Sequence, residues 1–272
     1  MGTNRVVIVT GAGGRLGRAM VAGLAEAGAR VAALHHRRPP DLEDLQAGSG
    51  GGIVHPLWGD VTNEADCCRA VAQTLERFGR VDVLVNNAAL THAAFPRRHR
   101  TPLQEVAPDA WRRVIDTNVN GTFLMTRAAL PQMLRQRWGR IINVTTSKAT
   151  MLRATALPYG PSKAAIEAMT LSWARLLAGT GVTVNALLPG GPTGAPAPWE
   201  RGPGPRWPAE IMIPPIRWLV SPASDGVTGR RFLARLWDPT LPEGAAAAVA
   251  GFPAAWPEEP HDAALAPQAD RS

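Results

Sequence analysis

A short apolar run followed by a cluster of glycines constrains this chain more than any other feature. Val6–Val9 contains no polar residue, which is typical of a strand buried on both faces of a parallel sheet. The turn Thr10–Gly17 follows, and a helical pattern of apolar residues continues at Met20, Val21, Leu24 and Ala25. Glycines let the backbone approach a ligand closely, and the first N–H groups of a helix attract negative charge. The order of strand, glycine turn and helix therefore predicts a pyrophosphate site.

The rest of the chain alternates between strand and helix patterns. Strands are predicted near residues 30–34, 53–57, 81–85, 140–144, 182–188 and 231–236, and helices near 63–78, 107–135, 158–177 and 211–220. Thr62 is predicted to cap the start of the helix 63–78, and Gly79 to end it. Alternation of this kind predicts an α/β fold, a doubly wound parallel sheet of the Rossmann type in a single domain. Ligands should then meet beyond the carboxyl ends of the strands.

Composition excludes several classes of protein. The net charge is +7, but 27 of the 29 basic residues are arginines, which indicates compositional bias rather than a nucleic-acid surface. No apolar run reaches the ~18 residues of a membrane span, and the N-terminus shows no signal-peptide pattern. The adjacent Cys67 and Cys68 cannot easily pair with each other. Reduced thiols predict a cytoplasmic protein, and no metal site is expected.

Two segments depart from the alternation of strands and helices. Residues 190–208 are rich in Gly, Pro and Trp, and we interpret 190–213 as a substrate loop or lid. Residues 239–272 are rich in Ala and Pro, and composition leaves open whether this tail is disordered or packs on a neighbouring subunit. The sequence thus predicts a domain over 1–238 and a tail over 239–272.

A tyrosine and a lysine four residues apart carry the most specific chemical signal. Tyr159 is the only tyrosine of the chain, and with Pro158 as the N-cap it would open a helix. Tyr159 and Lys163 then lie on one face of that helix. A phenol with an ordinary pKa near 10 exchanges protons poorly at neutral pH, so we expect the lysine ammonium to lower the pKa of Tyr159. The pair predicts general acid–base catalysis.

These motifs together resemble the classical short-chain dehydrogenase/reductase family. Thr10, Gly11 and Gly17 match its glycine turn, although Arg15 stands where that family usually has Gly or Ala, and the resemblance extends over residues 5–236. It implies hydride transfer between a nicotinamide cofactor and a carbonyl/alcohol substrate. The cofactor residues it implies are Gly11, Gly13, Gly14, Arg15, Leu16, Gly17, Asp60, Val61, Asn87, Ala88, Ala89, Tyr159, Lys163, Pro189 and Gly190.

The resemblance also supplies candidate partners for the tyrosine. A hydroxyl thirteen residues before Tyr159 should hold the substrate oxygen; that position is Thr146, and Ser147 stays open as the alternative. Asn118 matches an asparagine that holds a water near the lysine. Pairing of long helices in the family implies a homo-oligomer, a tetramer or a dimer.

The residues after the second strand favour NADP(H) over NAD(H). Where an acidic residue would hold the ribose 2′-hydroxyl, this chain has no carboxylate. Arg37 can instead pair with a 2′-phosphate, assisted by His36 and Arg38. Arg15 and the pair His36–Arg37 also resemble pteridine reductases. Pterin or imine reduction is therefore one alternative function, and a non-catalytic NADP(H) sensor on the same fold is another.

Overall fold

The computed structural model describes residues 4–36, 52–91, 102–154, 156–193 and 206–255. Arg37, Arg38 and residues 194–205 of the predicted substrate loop lie outside the described residues, as do residues 256–272 of the predicted tail. The described residues form one eight-stranded sheet. Its strands are β1 (Val6–Thr10), β2 (Arg30–His35), β3 (Ile53–Trp58), β4 (Val83–Asn86), β5 (Gly139–Val144), β6 (Val182–Leu188), β7 (Arg230–Leu233) and β8 (Gly251–Pro253).

The strand order confirms the predicted doubly wound fold. It runs β3-β2-β1-β4-β5-β6-β7-β8, and all neighbouring pairs are parallel except β7 with β8. The chain moves outward in one direction through β1, β2 and β3, and then crosses back to place β4 on the other side of β1. A crevice forms at such a reversal, outside the carboxyl ends of the strands, and ligands of α/β proteins bind there.

Helices cover both faces of this sheet. They are α1 (Arg15–Glu26), α2 (Glu64–Phe78), α3 (Pro108–Ile115), α4 (Gly121–Gln136), α5 (Lys148–Met151), α6 (Tyr159–Leu176), α7 (Ile213–Leu219) and α8 (Glu243–Ala250), and a π-helix, Asp116–Asn120, joins α3 to α4. Val7 and Val9 pack in one core cluster with α1 and α7. Val6 and Ile8 point to the opposite face and pack with α2 and α4. Alternate residues of β1 thus anchor two separate cores.

The cap of α2 differs from the prediction by one residue. Asn63, not Thr62, is the N-cap, and its side-chain oxygen accepts hydrogen bonds from the N–H groups of Ala65 (2.9 Å) and Asp66 (3.3 Å). The predicted end is confirmed, because Gly79 closes the helix in the left-handed conformation with φ +77°. Thr62 lies one residue before the cap, in the preceding turn, where its N–H donates to Asp60 Oδ1 at 2.9 Å.

The segment after residue 238 extends the domain that the sequence predicts to end there. Helix α8 buries Ala246, Ala247 and Ala250, and β8 pairs antiparallel with β7 through Phe252 opposite Arg231. The alanine-rich composition therefore reflects close packing of a short helix, and β8 follows it directly. Among the described residues, no helix has the length and apolar character needed to cross a bilayer.

Candidate active site

A cavity of about 1850 Å³ opens at the carboxyl ends of β1, β2, β4, β5 and β6. Its lining includes every predicted cofactor residue that the structure describes: Gly11, Gly13, Gly14, Arg15, Leu16, Gly17, His36, Asp60, Val61, Asn87, Ala88, Ala89, Tyr159, Lys163, Pro189 and Gly190. Thr146 and Ser147 line the same cavity, whereas Asn118 does not. The structure thus brings together residues that are up to 179 positions apart (11 to 190).

The glycine turn is a cradle that side chains cannot enter. A Cβ on Gly17 would lie 2.3 Å from the carbonyl oxygen of Gly11, and a Cβ on Gly11 would lie 2.7 Å from the Cα of Ala88. Gly11 also has φ +62°, which favours glycine. The N-cap of α1 is Gly14, so no side chain caps the first N–H groups of that helix. Bare backbone of this kind fits a diphosphate.

Asn87 braces this cradle from the neighbouring strand β4. Its Nδ2 donates to the carbonyl oxygens of Thr10 (2.9 Å) and Gly11 (3.0 Å). In return, the Thr10 hydroxyl accepts from the N–H groups of Asn87 and Ala88, both at 3.0 Å. The Asn87 side chain therefore holds the shape of the glycine turn, a structural task that the sequence analysis did not anticipate.

Arg15 links the glycine turn to the predicted substrate loop. Its guanidinium donates to the carbonyl oxygen of Thr193 at 2.6 Å, and Thr193 forms an isolated parallel bridge with Trp207.

At the end of β2, His36 is exposed and its Nδ1 lies 3.6 Å from Asp60 Oδ2. His35 is buried there, and burial, reinforced by the charge of Arg18, lowers its pKa.

Tyr159 and Lys163 occupy the other side of the cavity. Tyr159 is the first residue of α6, after Pro158 as the N-cap, and its hydroxyl is hydrogen-bonded to Thr146. Burial raises the pKa of Tyr159 to about 12, although the hydrogen bond from Thr146 acts in the opposite direction. This shift is opposite to the predicted one. The sequence gives the spacing of the pair but not the burial of the phenol, and here burial is the larger effect.

Lys163 is buried against the face of the tyrosine ring. Its Nζ lies 5.8 Å from the centroid of the Tyr159 ring and donates to the carbonyl oxygen of Val144 at 2.7 Å. Burial lowers the pKa of Lys163 to about 8, and the nearby carboxylate of Glu167 opposes that change. A lysine with this pKa is close to its titration point at neutral pH, so it can hold or release a proton at little cost.

Thr146 and Ser147 make different contacts. The Ser147 hydroxyl lies 2.9 Å from the Thr150 hydroxyl and accepts from the Thr150 N–H at 3.2 Å, so it caps the short helix α5. The Thr146 hydroxyl instead acts on the phenol of Tyr159. Both sequence alternatives therefore line the cavity, but the structure connects one of them to the phenol.

Asn118 lies behind the cavity wall in the π-helix. Its Oδ1 accepts from the N–H of Leu90 (2.8 Å), and its Nδ2 donates to Leu90 O (3.1 Å) and to Ser162 Oγ (2.9 Å). Ser162 Oγ in turn donates to the carbonyl oxygen of Tyr159 at 2.7 Å. The Asn118 side chain thus ties the segment after β4 to the first turn of α6.

No sequence motif predicts a role for Thr145, Glu167 or Arg231. Glu167 follows Lys163 by one helical turn, and a carboxylate on the inner face of a buried helix is the only sequence signal that could have indicated it. Its Oε1 accepts from the Thr145 hydroxyl at 2.7 Å, and Arg231 lies against the same oxygen. Among the residues that the structure describes, no group of three or more His, Cys, Asp or Glu could hold a metal ion.

The fold and the position of its cleft define a Rossmann-type α/β protein. Comparison with known proteins narrows that class, because a family model described as short chain dehydrogenase matches residues 5–197. The chain belongs to the short-chain dehydrogenase family. Members of this family are oxidoreductases that use a nicotinamide cofactor.

Individual relatives differ in what they act on. A 3-oxoacyl-[acyl-carrier-protein] reductase of Synechocystis sp. is 35% identical over 190 residues, which cover 69% of this chain and 74% of the relative. An L-fucose dehydrogenase of Bos taurus is 33% identical over 201 residues, covering 70% and 68%. Among solved structures, an NAD⁺-bound xylitol dehydrogenase is similar with a TM-score of 0.72 and 27% identity, over 85% of this chain and 97% of that chain.

Proposed function

We propose that this protein transfers hydride between NADP(H) and a carbonyl/alcohol pair of a small-molecule substrate. The single observation that supports this most is the cluster of Thr146, Tyr159 and Lys163, which shares one cavity with the glycine cradle. Carbonyl reduction requires a hydride source and an acid for the oxygen. The glycine turn, which fits a dinucleotide, and a proton donor in the same cleft meet these two requirements.

The residues present fit a nicotinamide dinucleotide. A Cβ at Gly11 or Gly17 would clash with backbone atoms, so only glycine fits at these two positions. The cavity is large enough for a cofactor together with a substrate. The glycine turn would hold the phosphates, Asp60 and Val61 the adenine, and Lys163 the ribose hydroxyls of the nicotinamide half. When bound, the cofactor supplies or accepts the hydride.

The chain's own residues manage the proton. Because burial keeps the phenol of Tyr159 protonated at neutral pH, this group is available as the acid that protonates the carbonyl oxygen. The Thr146 hydroxyl, already bonded to the phenol, would hold the same oxygen. Lys163 would stabilise the phenolate that remains, since an adjacent ammonium favours the charged form of the tyrosine. We favour Thr146 over Ser147 because the Ser147 hydroxyl is engaged by Thr150.

The preference for NADP(H) rests on the end of β2. In the sequence no acidic residue stands from His35 to Arg38, so none of these four positions supplies a carboxylate that would repel a 2′-phosphate. One charge-assisted pair between Arg37 and the 2′-phosphate contributes roughly 1.5–3 kcal/mol. A tenfold difference in dissociation constant needs only about 1.4 kcal/mol. NADPH should therefore bind at least tenfold more tightly than NADH in a fluorescence titration, and Arg37→Ala should narrow the gap. Equal dissociation constants would contradict this preference.

Pterin or imine reduction is the second candidate, favoured by Arg15. Its guanidinium lies at the glycine turn and reaches Thr193 at the start of the predicted substrate loop, so it contacts both sides of the cavity. NADPH consumption against a panel of ketones, 3-oxoacyl thioesters, sugars, imines and pterins separates these reactions. If no compound is turned over although NADPH binds, the non-catalytic sensor is the better interpretation.

Assembly and location are also proposals. We propose a cytoplasmic homo-oligomer that pairs its long helices, with residues 190–213 as the substrate loop. Helices α3 and α6 carry exposed apolar side chains at Trp111 and Leu176, which an interface would cover. Light scattering should give a mass of twice or four times 28.9 kDa at micromolar concentration. A monomer would contradict the proposal.

A further inference from the structure

A buried ion pair lies directly behind the catalytic cluster. Glu167 in α6 is 1% exposed and the Arg231 side chain in β7 is 12% exposed; Arg231 Nε lies 3.6 Å from Glu167 Oε1. Replacing a buried ion pair by apolar residues often leaves a protein equally stable, so such a pair is weak support for a purely stabilising role. Its position, one helical turn from Lys163, points instead to a role in the site.

The two partners hold two consecutive residues at the end of β5. The Thr145 hydroxyl donates to Glu167 Oε1 at 2.7 Å, and Arg231 Nη2 donates to the carbonyl oxygen of Thr146 at 3.1 Å. The hydroxyl of Thr146 is the one that meets Tyr159. Because both the Thr145 side chain and the Thr146 carbonyl are held in place, the backbone of Thr146 has little freedom to rotate.

The remaining neighbours complete the surroundings of the carboxylate. Glu167 Oε2 accepts from the N–H of Ala255, just after β8, at 3.4 Å. Glu167 interacts with the charged groups of Arg231 from β7 and of Lys163 from its own helix. Glu167 therefore faces two cations. One of them orients Thr146, and the other lies against the ring of Tyr159.

We propose that Glu167 and Arg231 form a positioning pair that holds the Thr146 hydroxyl on the reacting oxygen and provides the counter-charge for Lys163. This inference rests on the proposed function, because it assigns a task within that reaction. Neither residue lines the cavity. Both act through neighbours, by hydrogen bonds and charge.

The test compares two buried carboxylates. Glu167→Gln keeps the shape and an acceptor oxygen but removes the charge. We expect kcat to fall about 10- to 100-fold, as small misplacements of a reacting group do, while KM and the NADPH dissociation constant change less than threefold. The basic limb of the pH profile of kcat should also move to lower pH by about half a unit or more, because Lys163 loses its counter-charge.

Asp82→Asn is the matched control. Asp82 is fully buried, accepts from the Val6 N–H at 2.9 Å and pairs with Arg80 at 2.7 Å, but it lies before β4, at the end of the sheet away from the cavity. This variant should lose stability and keep the kcat and pH profile of the wild type. If both variants lose stability and neither changes kcat nor its pH profile, the pair is structural only and the proposal is overturned.

Two milder variants and one measurement without turnover keep the test decisive. Thr145→Val removes only the hydroxyl that reaches Glu167 and should lower kcat roughly tenfold. Arg231→Lys should retain more activity than Arg231→Gln. Amide hydrogen exchange at residues 145 and 146 should accelerate at least tenfold in the Glu167 and Arg231 variants but not in Asp82→Asn. Unchanged exchange overturns the inference. Accelerated exchange in a protein that turns over no carbonyl would refute the proposed function alone.

Discussion

The turn after β1, held by Asn87 just after β4, meets the cleft mainly with backbone, whereas β5 and α6 meet it with charged and hydroxylic side chains. We name the first region the glycine side (Thr10–Gly17 with Asn87) and the second the tyrosine side (Thr145, Thr146, Tyr159, Lys163). The shape of the glycine side depends on the absence of side chains at its glycines, because a Cβ at Gly17 would lie 2.3 Å from the carbonyl oxygen of Gly11. The tyrosine side instead presents polar side chains, and two of them, Thr145 and Lys163, are almost completely buried.

This difference predicts which kind of change each side tolerates. Bare backbone can accept no added atom but contributes no titratable group, so the glycine side should be sensitive to volume and insensitive to pH. Buried side chains keep their volume when a hydroxyl or an amine is replaced, yet lose their chemistry. Substitutions that change one property at a time on each side test this difference.

The largest effect is expected for Tyr159→Phe. Removing the phenolic hydroxyl should lower kcat by 10²–10⁴-fold, which is the usual contribution of a positioned acid. NADPH should bind with a dissociation constant close to that of the wild type, because the glycine side is unchanged. Wild-type turnover of an accepted substrate by this variant would rule out the acid role and the proposed mechanism with it.

Thr146→Ala should come next, with kcat about 100-fold lower, because it removes one donor from the developing charge on oxygen. Thr146→Ser keeps the hydroxyl and should be mild. Ser147→Ala is the control on the adjacent residue. It removes the cap of α5 and should lower the free energy of unfolding by about 1 kcal/mol without changing kcat. If Ser147→Ala is the damaging change instead, the two residues exchange roles.

Gly17→Ala tests the glycine side by volume alone. One methyl group must displace the backbone at Gly11, so we expect the free energy of unfolding to fall by about 1–3 kcal/mol and NADPH affinity to fall at least tenfold. Gly244→Ala in α8 is the matched control, because no atom lies within 4 Å of its Cβ position. Calorimetry and fluorescence titration measure both quantities. Normal NADPH affinity in Gly17→Ala would show that the turn is not a tight cradle.

The smallest effect separates the two sides by pH. The folded pKa of Lys163, about 8, lies below the unfolded value of 10.5, so the folded state binds fewer protons between these values and stability rises with pH. From pH 8 to 9 the gain is about 1 kcal/mol. The buried thiol of Cys67, whose pKa is raised from 9.0 to about 12, acts in the opposite direction as pH rises through 9, and the phenol of Tyr159 does so as pH rises through 10.

Lys163→Met should remove this rise between pH 8 and 9, whereas Lys148→Met, which changes the chain's only other lysine and an exposed one, should not. Urea titrations at the two pH values give the required free energies of unfolding. The same slope in all three proteins would mean that Lys163 is not the group responsible.

The two sides also differed in how far the sequence predicted them. The glycine turn lies within a few consecutive residues, and the spacing of Tyr159 and Lys163 is set by one helix, so both were accessible to local patterns. Glu167 and Arg231 are 64 positions apart and meet only because β7 packs beside β6. Burial caused the other failure, since the pKa of Tyr159 depends on how much water reaches the phenol. Asn63 and Thr62 are both good caps, and only the geometry of the loop decides between them.

The π-helix between α3 and α4 has a consequence for the core as well as for the site. Each residue of an α-helix advances the side chains by about 100°, and a π turn contains one additional residue. Asn118 faces Leu90 and Ser162, whereas Met125, Ala129 and Met133 follow at intervals of four residues and are completely buried against the sheet. The inserted residue changes the direction in which the side chains on either side of it point. The continuous helical region from α3 to α4 can therefore present a polar side chain at the π-helix and an apolar stripe along α4.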